Sequence, residues 1–207
     1  MQPAILGLSF ETKNLDPVGE IFLWSLFGGL GQRPLALSPE KGSFQVKVTE
    51  PAAFVVISFQ ASFDDVATHW ARRDILLLNL QGIVRGVSHH QFEPDRVVTR
   101  AEFTALLLRY FDIEEKRIKE SAFTDVNPDK WYYSIINTAF MENLVSGYDG
   151  IFEPDRVVSR EEAAILLIRA QSRVHTFEGM DSSQVDETLS VFVDADLIAD
   201  WAREAVA

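Results

Sequence analysis

The stretch Phe92-Glu-Pro-Asp-Arg-Val-Val-Thr-Arg100 returns as Phe152-Glu-Pro-Asp-Arg-Val-Val-Ser-Arg160, sixty positions later and with eight of nine residues unchanged. Self-similarity at a fixed spacing restricts a chain to architectures in which one supersecondary unit recurs and neighbouring units bury each other's apolar faces. The likeness extends outward: Phe63, Asp65, Val66, Trp70, Gly86, Glu102, Leu107 and Arg109 are answered by Phe123, Asp125, Val126, Trp131, Gly147, Glu162, Leu167 and Arg169. A third copy starts at Phe192, Asp194 and Trp201 and is expected to be truncated at Ala207, before its loop and second helix.

Each copy reads as helix, loop, helix. Tyr132, Ile135, Ile136, Ala139 and Phe140 follow the spacing of one buried helical face. The glycines that follow, Gly82 and Gly86 in one copy and Gly147 in the other, are expected to stop the helix and to supply positive φ in the loop. The second helix opens with Thr99-Arg-Ala-Glu102 or Ser159-Arg-Glu-Glu162, each a capping box in which a hydroxyl and a carboxylate satisfy backbone donors reciprocally. Its apolar face is expected at Phe103, Leu106, Leu107 and Tyr110, and at Ala163, Leu166, Leu167 and Ala170. Residues 1–62 differ in kind: 42–49 alternates strictly and 53–59 is β-branched and aromatic, so both read as strands, with Pro51 between them.

Composition narrows the function. Nineteen basic against 31 acidic residues leave a net charge of −12, the wrong sign for a general phosphate-collecting field, so nucleic acid is not an expected partner. An anionic ligand would have to meet locally placed cations. The absence of cysteine removes disulfides, thiolate metal sites and cysteine nucleophiles. The opening residues lack the pattern of a secretory signal, and the most apolar run, 21–30, is about half the roughly twenty residues of a membrane-spanning helix, so no membrane insertion is expected.

Phe63-Asp-Asp-Val66, Trp70-Ala71, Gly82-Ile-Val-Arg-Gly86, Phe92-Glu-Pro94 and Thr99-Arg-Ala-Glu-Phe103, in that order, resemble the signature of the S-layer homology family. The second copy repeats these motifs, with Trp131-Tyr132 in place of the Trp-Ala pair and Ser159-Arg-Glu-Glu162 in place of Thr-Arg-Ala-Glu. The resemblance implies an α+β chain that is mainly α-helical: a β-rich segment 1–62 from an upstream domain, repeats at 63–113 and 114–173, a linker 174–191, and the start of a third repeat at 192–207. It further implies a pseudo-threefold helical spindle at the C-terminal end of a surface protein of a Gram-positive-type bacterium. Such a module holds a cell-wall polysaccharide attached to peptidoglycan, often one carrying a pyruvate ketal on N-acetylmannosamine, in grooves between repeats. By motif, Arg100 and Arg160 would meet the ketal carboxylate, with Asp65, Asp125, Trp70, Trp131, Gly86 and Gly147 shaping the grooves. The alternative role is self-association into a surface lattice.

Several residues carry a second reading. A cation at a helix start opposes the macrodipole, yet Arg100 and Arg160 both sit there, where uncommitted N–H groups and a guanidinium together would suit a carboxylate. The plain alternative for Arg100 is a surface pair with Glu102 or Asp95. Thr99, Glu102, Ser159 and Glu162 are assigned to capping; Trp70 and Trp131 to packing first and sugar stacking second; Asp65 and Asp125 to capping the helix that follows. Adjacent His89 and His90 lack a third ligand at metal spacing, and Asp149-Gly150 lacks the oxygen ligands of a calcium loop. Neither a catalytic constellation nor a cofactor motif stands out, so neither an enzyme nor a cofactor is expected within these residues.

Overall fold

A computed structural model of the chain describes residues 63–173 and 179–207 with their side chains and, before them, the backbone of five strands. The strands are β1 Ala4–Ser9, β2 Glu20–Ser25, β3 Leu35–Leu37, β4 Ser43–Val48 and β5 Phe54–Phe59. β1 pairs antiparallel with β4, Ala4 facing Val48, and β2 lies antiparallel between β3 and β5. The reading of 1–62 as the tail of an upstream domain falls on a segment that lies largely outside the described residues. Among the fully described residues the chain is mainly helical: α1 Arg72–Leu80, α2 Arg100–Tyr110, α3 Tyr133–Met141, α4 Arg160–Gln171, α5 Ser182–Leu189 and α6 Arg203–Val206, with short 3-10 turns between. Two compact units divide the chain, residues 1–96 and 97–207, so the partition falls inside the first sequence repeat.

Helix stops follow one pattern with three different residues. After α1 the Gly82 N–H donates to Asn79 O and the Ile83 N–H to Leu78 O, at 2.9 Å each, with Gly82 at φ 73°. After α3 the same two bonds run from Asn143 to Phe140 and from Leu144 to Ala139, with Asn143 at φ 57°. After α2 they run from Asp112 to Arg109 and from Ile113 to Leu108. This is the Schellman closure of the last turn, which needs one left-handed residue. Asparagine and aspartate tolerate that conformation through their short polar side chains.

The expectation for Gly86 and Gly147 is therefore corrected, because neither has positive φ. What excludes a side chain there is crowding. A Cβ on Gly86 would stand 2.3 Å from Phe63 Cε1, and one on Gly147 2.3 Å from Ile151 O and 2.5 Å from Phe123 Cε1. The loop glycines let the returning backbone lie against the phenylalanine that opens each repeat.

In residues 97–207, α2 packs against α3 and α4, and α4 against α6. Their shared core holds Ala101, Ala105, Leu108, Ile136, Ala139, Leu144, Phe152 and Ala170. The buried face of α2 is rotated from the expected one: Ala101, Thr104, Ala105, Leu107 and Leu108 are buried while Tyr110 is exposed, and on α4 Leu167 is exposed. Small residues allow the close approach of α2 to its neighbours, which bulkier side chains would prevent. Thr104 can enter this core because its hydroxyl donates to Arg100 O at 2.7 Å. Buried Asn137 likewise accepts from Ala122 N and donates to Tyr133 O.

The stretch expected as a linker contains α5, opened by a capping box between Asp181 and Gln184. Its buried face consists of Val185 and Leu189, too few apolar residues to register as a period.

Candidate functional site

The loops of the two repeats are held by the same hydrogen bonds. Asp65 accepts from Phe92 N at 3.0 Å and Glu93 N at 2.7 Å; Asp125 accepts from Phe152 N at 2.9 Å and Glu153 N at 2.6 Å. Asp64 N donates to His90 O and Thr124 N to Gly150 O, both at 2.9 Å. Glu93 and Glu153 both take φ 61°, a left-handed conformation that an ordinary side chain adopts only under constraint, here supplied by the aspartate clamp. The two aspartates thus brace a loop 27 residues further on, rather than cap the turn beside them. The Glu93 N–H is the main cause of an Asp65 pKa below the ordinary carboxylate value.

Thr99 and Ser159 each accept from the backbone N–H three residues on, and Glu102 and Glu162 return the bond to the cap's own N–H. Beyond this point the repeats diverge. The next donors of α2 are already satisfied from the second repeat, Arg100 N by Arg156 O at 2.8 Å and Ala101 N by Pro154 O at 3.0 Å. A short antiparallel bridge between Thr99 and Val157 accompanies them. The expected anion site at the start of α2 is therefore occupied by the chain's own carbonyls. At the start of α4, the N–H groups of Arg160 and Glu161 have no such partner among the described residues.

The arginine side chains diverge in the same way. Arg100 donates from Nε to Phe152 O at 2.9 Å, from Nη1 to Glu162 Oε1 at 2.6 Å and from Nη2 to Ser146 O at 3.2 Å. Its guanidinium carbon lies 4.6 Å from the centre of the Phe152 ring, and the side chain is 12% exposed. Neither Glu102 nor Asp95 is its ion-pair partner; the pair reaches 62 residues along the chain. Arg160 is exposed and forms no hydrogen bond or ion pair among the described residues.

Both arginines border grooves. Arg100 lines one of about 550 Å³ with Gly147, Tyr148, Phe152, Arg156, Glu162 and Trp201. Arg160 lines one of about 660 Å³ with Glu161, Phe192, Asp194, Leu197 and Ile198. Glu161 is itself engaged by the Ala199 N–H at 2.8 Å.

Glu162 was legible as a cap but not as a junction. Besides Ser159 N, it accepts from Arg100 and from both terminal nitrogens of Arg156. Burial opposes its ionisation, but the bonds from Arg156 and Ser159 and the charge of Arg100 prevail, so its pKa lies below the ordinary value. Arg156 was also missed. The signal was its repetition at the position of Arg96, which pairs with Glu93 as Arg156 pairs with Glu153.

Trp70 and Trp131 are not core residues. Trp70 is 86% and Trp131 54% exposed, and the aromatic buried at the start of α3 is the adjacent Tyr132. Burial there raises the Tyr132 phenol pKa. Among the described residues no cluster of three potential metal ligands occurs, and no helix is long and apolar enough to cross a membrane.

The model of the S-layer homology domain matches residues 62–104 and 122–164. The chain carries two S-layer homology domains. Over 184 residues, 89% of this chain, it is 28% identical to an amylopullulanase of Thermoanaerobacterium thermosulfurigenes, of which the aligned part is 9%. It is 38% identical over 101 residues, 49% of this chain, to 9% of an endo-1,4-beta-xylanase A of Thermoanaerobacterium saccharolyticum. It is 32% identical over 97 residues, 45% of this chain, to 9% of a surface layer protein of Brevibacillus choshinensis. The matched region is thus about a tenth of each of these three relatives. The two S-layer homology domains support a cell-surface anchoring module.

Proposed function

We propose that the chain holds a protein non-covalently on the wall of a Gram-positive-type bacterium by binding an acidic polysaccharide attached to peptidoglycan, with Arg160 as the principal cation. The observation that carries this reading is the state of Arg160: an exposed guanidinium without a partner among the described residues, beside uncommitted helix N–H groups, on a groove of about 660 Å³. A planar fork of donors suits a carboxylate such as a pyruvate ketal, and the helix start adds favourable dipoles. With a net charge of −12, selectivity for an acidic ligand must come from such a local arrangement rather than from the overall field.

The remaining candidates have supporting roles within their own repeats. Asp65 and Asp125 brace the loops, Gly86 and Gly147 let them pack closely, and the exposed indoles of Trp70 and Trp131 offer faces for sugar rings. In this reading the repeats at 63–113 and 114–173, with the third beginning at 192, belong to a pseudo-threefold spindle, and the β segment 1–62 joins the anchor to the protein it carries. Self-association into a lattice is the second reading, favoured by exposed Val191, Phe192, Val193 and Leu197.

A pull-down with purified cell walls, before and after removal of the secondary polymer, tests the proposal. Binding is expected to depend on the polymer, to be lost in Arg160→Ala, and to return only partly in Arg160→Lys, because an ammonium cannot form the planar fork. Equal capture by stripped walls, with concentration-dependent sedimentation of the protein alone, would favour the lattice reading instead.

A further inference from the structure

We infer that the chain's own Glu162 guards the Arg100 groove against acidic ligands, leaving the two described grooves unequal: in one the arginine is already paired with a carboxylate, in the other it is open. The inference rests on the anchoring reading of Arg160 and concerns what regulates the same kind of site in the neighbouring groove.

The geometry behind it is that every nitrogen of the Arg100 guanidinium already has an acceptor. A bidentate carboxylate needs two parallel N–H groups on one edge of the fork. In Arg100 each of the three nitrogens already has an acceptor, namely Phe152 O, Glu162 Oε1 and Ser146 O, and one face of the plane is stacked on Phe152. An incoming acid would have to share the guanidinium with Glu162, whose side chain is 16% exposed, and would lie beside that like charge. Glu162 is tethered where it stands, because the same carboxylate closes the Ser159 capping box and receives Arg156. Arg160 carries none of these commitments among the described residues.

The capping role makes the test clean. A capping box accepts glutamine as well as glutamate, so Glu162→Gln retains the helix start while removing the competing charge. The pyruvate ketal of N-acetylmannosamine is titrated into the 207-residue chain, with stoichiometry read by calorimetry and the arginine Nε–Hε signals read by NMR. The unaltered chain is expected to take one equivalent, shifting the Arg160 signal and leaving that of Arg100 in place. Glu162→Gln is expected to take a second equivalent, with the Arg100 signal now moving. The inference is overturned if the unaltered chain binds two equivalents with both signals shifting, a result that needs no variant to fold. It is equally overturned if Glu162→Gln, native by circular dichroism, still binds one, or if neither form binds the ketal. Wall capture measured on the same samples separates the readings: capture that persists through Arg160 leaves the anchoring proposal standing when the inference fails.

Discussion

Arg100 and Arg160 open helices whose preceding eight residues differ only in threonine against serine, yet one is a strut and the other has no partner among the described residues. The capping boxes, the left-handed glutamates and the aspartate clamps are shared. Everything that depends on what stands opposite is different. Arg100 faces Ser146, Phe152 and Glu162 of the following repeat; Arg160 faces a groove bordered by Phe192, Asp194 and Leu197, where no described group reaches its guanidinium. A repeat motif thus specifies a local frame, and each copy's neighbour decides whether the arginine in that frame stabilises the fold or remains available to a ligand.

The largest expected break in the symmetry lies under the loops. Phe152 is buried in the core, whereas Phe92 at the matching position is only partly buried. Phe152→Ala should cost about 3–5 kcal/mol in urea denaturation, as core phenylalanine truncations do, and Phe92→Ala distinctly less. Equal losses would show that both loops are packed alike.

The arginines come next. Arg100→Ala removes three hydrogen bonds and a ring contact from a largely buried side chain, and should lower stability by about 1–3 kcal/mol. Arg156 remains as a partner for Glu162, which keeps the loss below that of a fully orphaned buried charge. Arg160→Ala should change stability by no more than about 0.5 kcal/mol, as exposed substitutions generally do. Matching melting temperatures for the two variants would contradict the strut.

The smallest expected effect is on acid stability. The Glu162 pKa lies below its ordinary value of 4.5, as does that of Glu142, held chiefly by Lys116 and Arg173. A carboxylate with a depressed folded pKa contributes stability in full above its unfolded value and loses it as pH falls through the folded one. Thermal melts should therefore hold steady down to about pH 4.5 and decline below it, with a shallower decline in Glu162→Gln. An identical decline in that variant would remove Glu162 from the acid-sensitive set.

What could be read from the sequence was what depends on near neighbours along the chain. Capping boxes need a hydroxyl and an acid three residues apart, and helix faces need a period, so Thr99, Glu102, Ser159, Glu162 and the α3 face at Ile135, Ile136 and Ala139 were legible as such. The sixty-residue recurrence likewise announces repeated helix-loop-helix units. The reasons behind other residues could not be read, because they lie across space. Gly147 is glycine for want of room beside Phe123 and Ile151, not for its own φ; Trp131 is exposed because Tyr132 takes the buried place; α2 turns its alanines inward because α3 and α4 come close. Above all, the free or bound state of an arginine is set by acceptors up to 62 residues away, as between Arg100 and Glu162. Local sequence carries the preferences of the backbone, which short-range sterics and hydrogen bonds decide; only the tertiary structure decides which of two identical side chains has its donors satisfied, because electrostatic and packing partners are chosen by proximity in space.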